Sequence, residues 1–291
     1  MERTLVVGVD GSPESRAAAD WAAREAVRRD LHVRVVHAWS WQPLALPVDH
    51  DREAWARRAR EVLDGTQAEL GRRHPRLSLT VEAVADVPVP ALLRAAKEAE
   101  MLVIGSRGHG VLAGFLLGSY GQQLIAAAEC PVVSVRARHG TAVPGSDDGE
   151  VVVGQQGGVA DSAGVLGFAF EAAASRRAPL RAVRAWSPPP VYGYSPGSMW
   201  IADRFAGLEP FEKAALEQAL EPWRTRYPEV DVVAHVELGG AGHVLLSAAS
   251  DAGLLVVGRQ IRESAPGARI GSTAHAVLHH SACPVAVVPH R

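Results

Sequence analysis

Leu102-Val-Ile-Gly105-Ser-Arg107-Gly108-His-Gly110-Val-Leu-Ala-Gly114-Phe-Leu-Leu-Gly118-Ser119-Tyr120 is the stretch whose reading decides the fold. An apolar run, Met101 to Ile104, ends at a glycine-rich loop, and a new helix is expected to start at Gly118-Ser119. Glycines at 105, 108 and 118 let main-chain N–H groups turn inward with no Cβ in the way. A helix beginning at Ser119 aims its unpaired N–H groups and the positive end of its dipole at the same spot. A loop and a helix end combined in this way bind anions, phosphate above all.

The chain before and after this stretch alternates between two periodicities. Residues 3–9 form a short apolar run, the mark of a strand covered on both faces. The run ends at Asp10-Gly11-Ser12-Pro13, where Ser12 suits a helix cap and Pro13 its first turn. The pattern then predicts a helix to Arg29, a strand over Val33–Trp39, a long amphipathic helix over 51–73 and a strand over Leu77–Val84. A helix over Pro90–Glu98 and the strand Met101–Ile104 follow; after the glycine loop come a helix to about Glu129 and a strand over Val132–Val135. Right-handed crossovers turn such an alternation into a doubly wound α/β domain: a five-stranded parallel sheet, order 3-2-1-4-5, with helices on both faces. Its topological switch point lies at the carboxyl ends of strands one and four. Asp10-Gly11-Ser12 and the Gly105–Gly108 loop are those two ends.

The series then begins again. Val151-Val-Val-Gly154 repeats Leu5-Val-Val-Gly8 146 residues on, and Ala185-Trp186-Ser187 repeats Ala38-Trp39-Ser40 147 residues on. Gly258 and Cys283-Pro284-Val285 repeat Gly105 and Cys130-Pro131-Val132, both 153 residues on. Six extra residues therefore fall between the second and fourth strands of the second half, and the Pro/Gly/Tyr-rich loop Ser187–Ala206 is the place for them. The chain reads as a tandem duplication: a domain over 1–138, a Gly/Pro/Ser/Asp-rich linker over 139–149 and a second domain over 150–291.

Composition narrows the function classes. A chain of 291 residues, 47% apolar and 21% charged, is long enough for two soluble globular domains. No apolar run approaches the roughly 18 residues of a membrane span, and no basic-then-apolar pattern opens the chain, so the reading is cytoplasmic with no membrane partner. The net charge is −2, and the arginines of Glu53–Arg73 alternate with Glu and Ala as on a solvated helix face, which points away from nucleic acid. Cys130 and Cys283 hold equivalent places before Pro-Val and read as buried thiols, not a disulfide or a metal site. His275 and His279, four apart on a predicted helix, read as a surface pair because no third ligand follows nearby. Trp39 and Trp186 read as core or pocket wall. No nucleophile elbow, Gly-Lys-Ser/Thr loop or Cys-x-x-Cys is present, so no residue receives a catalytic role and no metal ligands are assigned.

The spacing Gly105-x2-Gly108-x9-Gly118-Ser119, the GSRGHG…LLGS wording, the Asp-Gly-Ser turn after strand one and Cys130-Pro131-Val132-Val133 together resemble the universal stress protein family, in the ATP-binding branch and the tandem form. The resemblance implies ATP, with or without magnesium, in the first half. It places Gly8, Val9 and Asp10 on the adenine and ribose side, with the Asp10 carboxylate near the sugar or a metal ion, and Ala38 at the adenine edge. Gly105 and Gly108 would face ribose and phosphates, Arg107 would pair with phosphate, and Gly118, Ser119 and Tyr120 would close over the phosphate tail. Tyr120 departs from the small or hydroxyl residue expected there.

The second half shows Gln156 in place of Asp10 and Ile261 in place of Gly108, so its site is expected to be degenerate. The function implied is a nucleotide-dependent stress, dormancy or signalling module acting on an unknown protein partner. The alternative is a slow ATPase or nucleotidyl-transfer enzyme on the same scaffold. The resemblance also implies an intrachain pseudo-dimer through Val132–Val135 and Val285–Val288, with room for a homodimer as well.

Overall fold

The computed structural model describes residues 3–40, 52–106, 118–137, 149–187, 208–261 and 270–291. Residues 3–137 belong to one compact unit; 149–261 and 271–291 belong to another. Apart from Gly149, the expected linker lies outside the described residues.

The first unit runs β1 (Thr4–Gly8), α1 (Pro13–Arg29), β2 (His32–Ala38), α2 (Arg52–Arg73), β3 (Leu79–Val84), α3 (Pro88–Ala95), β4 (Met101–Ser106), α4 (Ser119–Ala127) and β5 (Val132–Arg136). The second runs β6 (Val151–Gly154), α5 (Val159–Arg176), β7 (Leu180–Trp186), α6 (Glu209–Arg226), β8 (Val232–Leu238), α7 (Ala241–Ala248), β9 (Leu254–Gln260), α8 (Ser272–His280) and β10 (Val285–His290). Within the units the strand orders are β3-β2-β1-β4-β5 and β8-β7-β6-β9-β10. All of these neighbours are parallel. The doubly wound order expected from the alternation is the order found, twice.

Burial explains why the central strands form. Leu5, Val6 and Val7 of β1 and Val151, Val152 and Val153 of β6 are fully buried, as strands with helices on both faces require. Helix starts follow local chemistry. Ser12 Oγ accepts the Ser15 N–H at 3.1 Å, and Pro13 takes the first helical position of α1. α3 starts at Pro88, ahead of the expected Pro90, because a proline ring already holds the helical φ there. A larger difference concerns β4, which runs through Gly105 and Ser106 where a loop was expected. The strand continues because β5 supplies partners, Val135 beside Gly105 and Arg136 beside Ser106.

The repeat is traceable residue by residue. Buried positions of α1 recur in α5 147 residues on, from Ser15 and Ser162 to Arg29 and Arg176, whereas the strand-end glycines Gly8 and Gly154 are 146 apart. The single extra residue therefore lies in the first turn of α5. Arg73 and Arg226, the last residues of α2 and α6, are 153 apart, so the other six residues lie between β7 and α6.

The helix pairs on these sheets are held differently. On α1, Asp20 bonds Arg24, Arg73 Nη1 at 3.0 Å and His74 Nε2 at 3.2 Å. Burial raises the Asp20 pKa, but Arg24, His74 and Arg73 outweigh it and hold the carboxyl below its ordinary value. In the second unit Gly167 takes the place of Asp20 and Tyr227 that of His74. There the Trp223 ring lies so close that a Cβ on Gly167 would meet it at 2.6 Å. Phe170, Trp223 and Tyr227 form one aromatic cluster with ring centroids about 6 Å apart, and the Arg226 guanidinium lies over two of the rings. No described helix is long and apolar enough to cross a membrane.

Candidate functional site

At the carboxyl end of β1 the chain makes a tight turn held by its own polar groups. Val9 N–H donates to Val36 C=O at 2.9 Å, which carries the β1–β2 ladder one residue further. Asp10 Oδ1 accepts the Ser12 N–H at 2.9 Å, and the Asp10 N–H reaches Ser15 Oγ at 3.3 Å. Between them Gly11 adopts φ +81°, a left-handed conformation that favours glycine. The Asp10 side chain is exposed at the surface of the turn.

The glycines of the motif have separate reasons. A Cβ on Gly8 would meet Leu92 of α3 at 3.0 Å, so this glycine lets α3 settle on the sheet. A Cβ on Gly105 would come within 2.6 Å of the Glu14 carbonyl carbon and 2.8 Å of the Ser15 nitrogen. Gly105 thus seats the main chain of the first turn of α1 against β4, which brings the α1 N-terminus to the switch point. Gly118 differs from both. It precedes α4 with φ −54° and ψ 153°, angles open to any residue, no side chain caps the helix, and a Cβ there would meet nothing within 4 Å. Neither backbone conformation nor packing in the described structure requires glycine at this position.

The structure therefore gathers Gly8, Val9, Asp10, Ala38 and Gly105 at the carboxyl ends of the adjacent strands β1, β2 and β4. Gly118, Ser119 and Tyr120 open the helix that follows β4, and all three are exposed. Arg107 and Gly108 lie outside the described residues. Sequence reasoning passed over His37, next to Ala38, whose Nδ1 lies 2.7 Å from the Val9 carbonyl oxygen. Its signal was the repeat itself, since the matching position carries Arg184, another side chain able to donate a hydrogen bond.

In the second unit the matching turn is committed to internal bonds. Gln155, in place of Val9, is buried, and its amide donates to Gly157 C=O at 3.1 Å. Arg184 donates to Gln155 Oε1 at 2.6 Å, to Gly157 C=O at 3.1 Å and to Glu212 Oε2 on α6 at 2.5 Å. The left-handed glycine persists, as Gly157 with φ +79°. Asp161, within the longer first turn of α5, accepts the Gly158 N–H at 3.0 Å and puts a carboxylate at that helix N-terminus. Gly258 faces the His290 ring, 2.8 Å from a Cβ built on it, where Gly105 faces main chain. Ile261 donates its N–H to His290 C=O at 2.7 Å and so extends the β9–β10 ladder.

Neither cysteine is in a disulfide and both are buried, and burial pushes the Cys130 thiol up to about 11, too high for a nucleophile at neutral pH. The histidine pair of α8 is not a surface pair. His279 is buried, because it borders the apolar face of Ala274, Val277 and Leu278, while His275 is exposed, with ring centroids 4.2 Å apart. Trp39 and Trp186 are both half-buried at strand ends.

The Universal stress protein family matches the chain twice, over residues 1–136 and 150–289. A universal stress protein of Mycobacterium tuberculosis is 33% identical over 295 residues, covering 97% of this chain and 96% of the relative. Another, of Mycolicibacterium smegmatis, is 33% identical over 303 residues, covering 99% and 97%. Among solved structures, a universal stress protein from Archaeoglobus fulgidus superposes with a TM-score of 0.72 at 18% identity, covering 98% of each chain, a likeness of fold.

Proposed function

The chain belongs to the universal stress protein family in its tandem form, and we propose that its first half binds ATP at the carboxyl ends of β1 and β4. The observation that carries this reading is Gly118. A glycine at an uncapped helix N-terminus, with open space where its Cβ would stand, leaves main-chain N–H groups accessible to a phosphate tail. The turn at Asp10 supplies the other end of the site: an exposed carboxylate for the sugar hydroxyls or a magnesium ion, with Val9 and Ala38 beside it for the adenine. Arg107 and Gly108 complete the phosphate loop in this reading.

The role proposed is binding and signalling in the cytoplasm, with the nucleotide state read by a protein partner. Asp10 already spends one carboxylate oxygen on the Ser12 N–H, a placement suited to holding a turn. The second half takes no part in binding in this reading, because Arg184 and Gln155 occupy one another and Asp161 holds the Gly158 N–H. The test is mass spectrometry of nucleotide released by denaturing the purified native protein, with calorimetry of ATP on the stripped protein. ATP in the released fraction and saturable heat support the reading. Absence of adenine nucleotide together with no heat at millimolar ATP overturns it.

A further inference from the structure

We propose that His37 is a positioning residue of the first-half site: a strut from the end of β2 that holds the β1–α1 turn in the shape the nucleotide needs. The inference rests on the ATP reading above and deepens it. A carbonyl oxygen can only accept, so the 2.7 Å contact between His37 Nδ1 and Val9 C=O requires the proton on Nδ1. This ring is thereby fixed as a donor to the residue just before Asp10. Sequence-adjacent neighbours on both ends of the strut are proposed ligand contacts, Ala38 on β2 and Asp10 in the turn.

The duplication provides an independent observation. At the matching position of the second unit stands Arg184, a different side chain. It also reaches across from the second strand of its sheet to the turn after the first, donating to Gln155 Oε1 at 2.6 Å and Gly157 C=O at 3.1 Å. Two chemically unlike residues perform one mechanical task at one place, so the task belongs to the fold. They differ in what they leave behind. The imidazole uses one nitrogen on one carbonyl; Asp10, like Gln156 in its place, is exposed. The guanidinium spreads over Gln155, Gly157 and Glu212 and ties the turn to α6. Histidine at this position braces the crevice; arginine, with its wider fork, bolts it to its surroundings.

The turn needs a brace because Gly11, at φ +81°, joins two short segments that have no ladder partner beyond Val9 among the described residues. A net hydrogen bond contributes about 0.5–1.5 kcal/mol, so its loss lowers affinity by up to about tenfold when the turn must be re-ordered on binding.

The experiment compares the full chain with His37→Leu, which removes the donor, and His37→Gln, which restores an N–H at similar reach. ATP affinity is measured by calorimetry, and hydrogen exchange is followed at the amides of Asp10, Gly11 and Ser12 without nucleotide. The expected result is an ATP Kd about tenfold weaker in His37→Leu, with faster exchange confined to those amides, and recovery of both in His37→Gln. Unchanged affinity, or unchanged exchange at the turn, in a folded His37→Leu overturns the strut. Should His37→Leu fail to fold, His37→Gln decides: parent-like exchange and affinity support the strut, and the loss of either overturns it. If the parent itself takes up no ATP, the nucleotide reading falls, and exchange at the turn alone then judges the strut.

Discussion

The turn after β1 and the turn after β6 share a left-handed glycine and a donor reaching over from the second strand, yet their side chains are bonded to different extents. After β1 the side chains are small or exposed: Val9, Asp10, Ser12 and the single contact from His37. After β6 more of the side chains are bonded within the chain: Gln155 to Gly157 and Arg184, Arg184 to Glu212, and Asp161 to the main chain of Gly158, while Gln156, in place of Asp10, is exposed. On the proposed reading, the duplicated scaffold keeps one crevice for a ligand and uses the matching positions of the other copy to hold itself together. On the same reading, a site closes where residues find partners inside the chain as well as where motif residues are missing.

The largest expected effect tests what the two strand-four glycines do. Gly105→Ala forces a Cβ into the main chain of α1, 2.6 Å from Glu14, which cannot swing aside. Overpacking of this kind costs about 1–3 kcal/mol or more, and denaturant unfolding should show that loss. Gly258→Ala meets chiefly the His290 ring and a Val165 methyl, ends of side chains that can move, so its loss should be the smaller. Equal losses would show that the two glycines hold the same contact after all.

Next comes the helix-start pair, Gly118 and Gly271. Both stand in open space with ordinary φ, so valine at either leaves the stability of the fold nearly unchanged. Gly118→Val is expected to weaken ATP binding by tenfold or more, about 1.4 kcal/mol, because the side chain stands where phosphate approaches. Gly271→Val is expected to leave ATP affinity unaltered. Calorimetry on both variants separates them, and a loss of binding in Gly271→Val alone would reverse the assignment of the halves.

How far the sequence carried this comparison depends on the kind of contact. The alternation of strands and helices, the 3-2-1-4-5 order and the repeat were legible because periodicity and glycine spacing are local. Gly105 was legible as a glycine that matters, but its neighbour Glu14 lies 91 positions away, and only the folded chain shows that α1 sits on it. Gln156 and Ile261 drew attention as departures from the motif. The residues that fill the second crevice, Gln155, Arg184 and Asp161, fit no motif and became visible only through their partners. Ile261 was expected to leave the second site degenerate; the structure adds that its N–H extends the β9–β10 ladder.

A smaller effect separates the helix pairs. The Asp20 carboxyl titrates below its ordinary value of 3.8 in the folded chain. As pH falls, the unfolded chain therefore binds the proton first, so the stabilisation is complete above about pH 4 and is lost as pH drops through the lower folded value. The aromatic clasp of Phe170, Trp223 and Tyr227 has no carboxylate to protonate. Hydrogen exchange followed as pH falls below about 4 should show α1 and α2 opening before α5 and α6, and Asp20→Asn should remove the pH dependence of that difference. Simultaneous opening in the parent would mean that Asp20 contributes nothing specific to its helix pair.

The central claim, one crevice kept and one filled, is tested most directly by counting. Nucleotide-stripped protein is titrated with ATP by calorimetry, and the account predicts one site per chain, abolished or strongly weakened by Gly118→Val. Two equal sites per chain would contradict it, because the bonds among Gln155, Arg184 and Glu212 would then have to open for a ligand as readily as the exposed turn at Asp10.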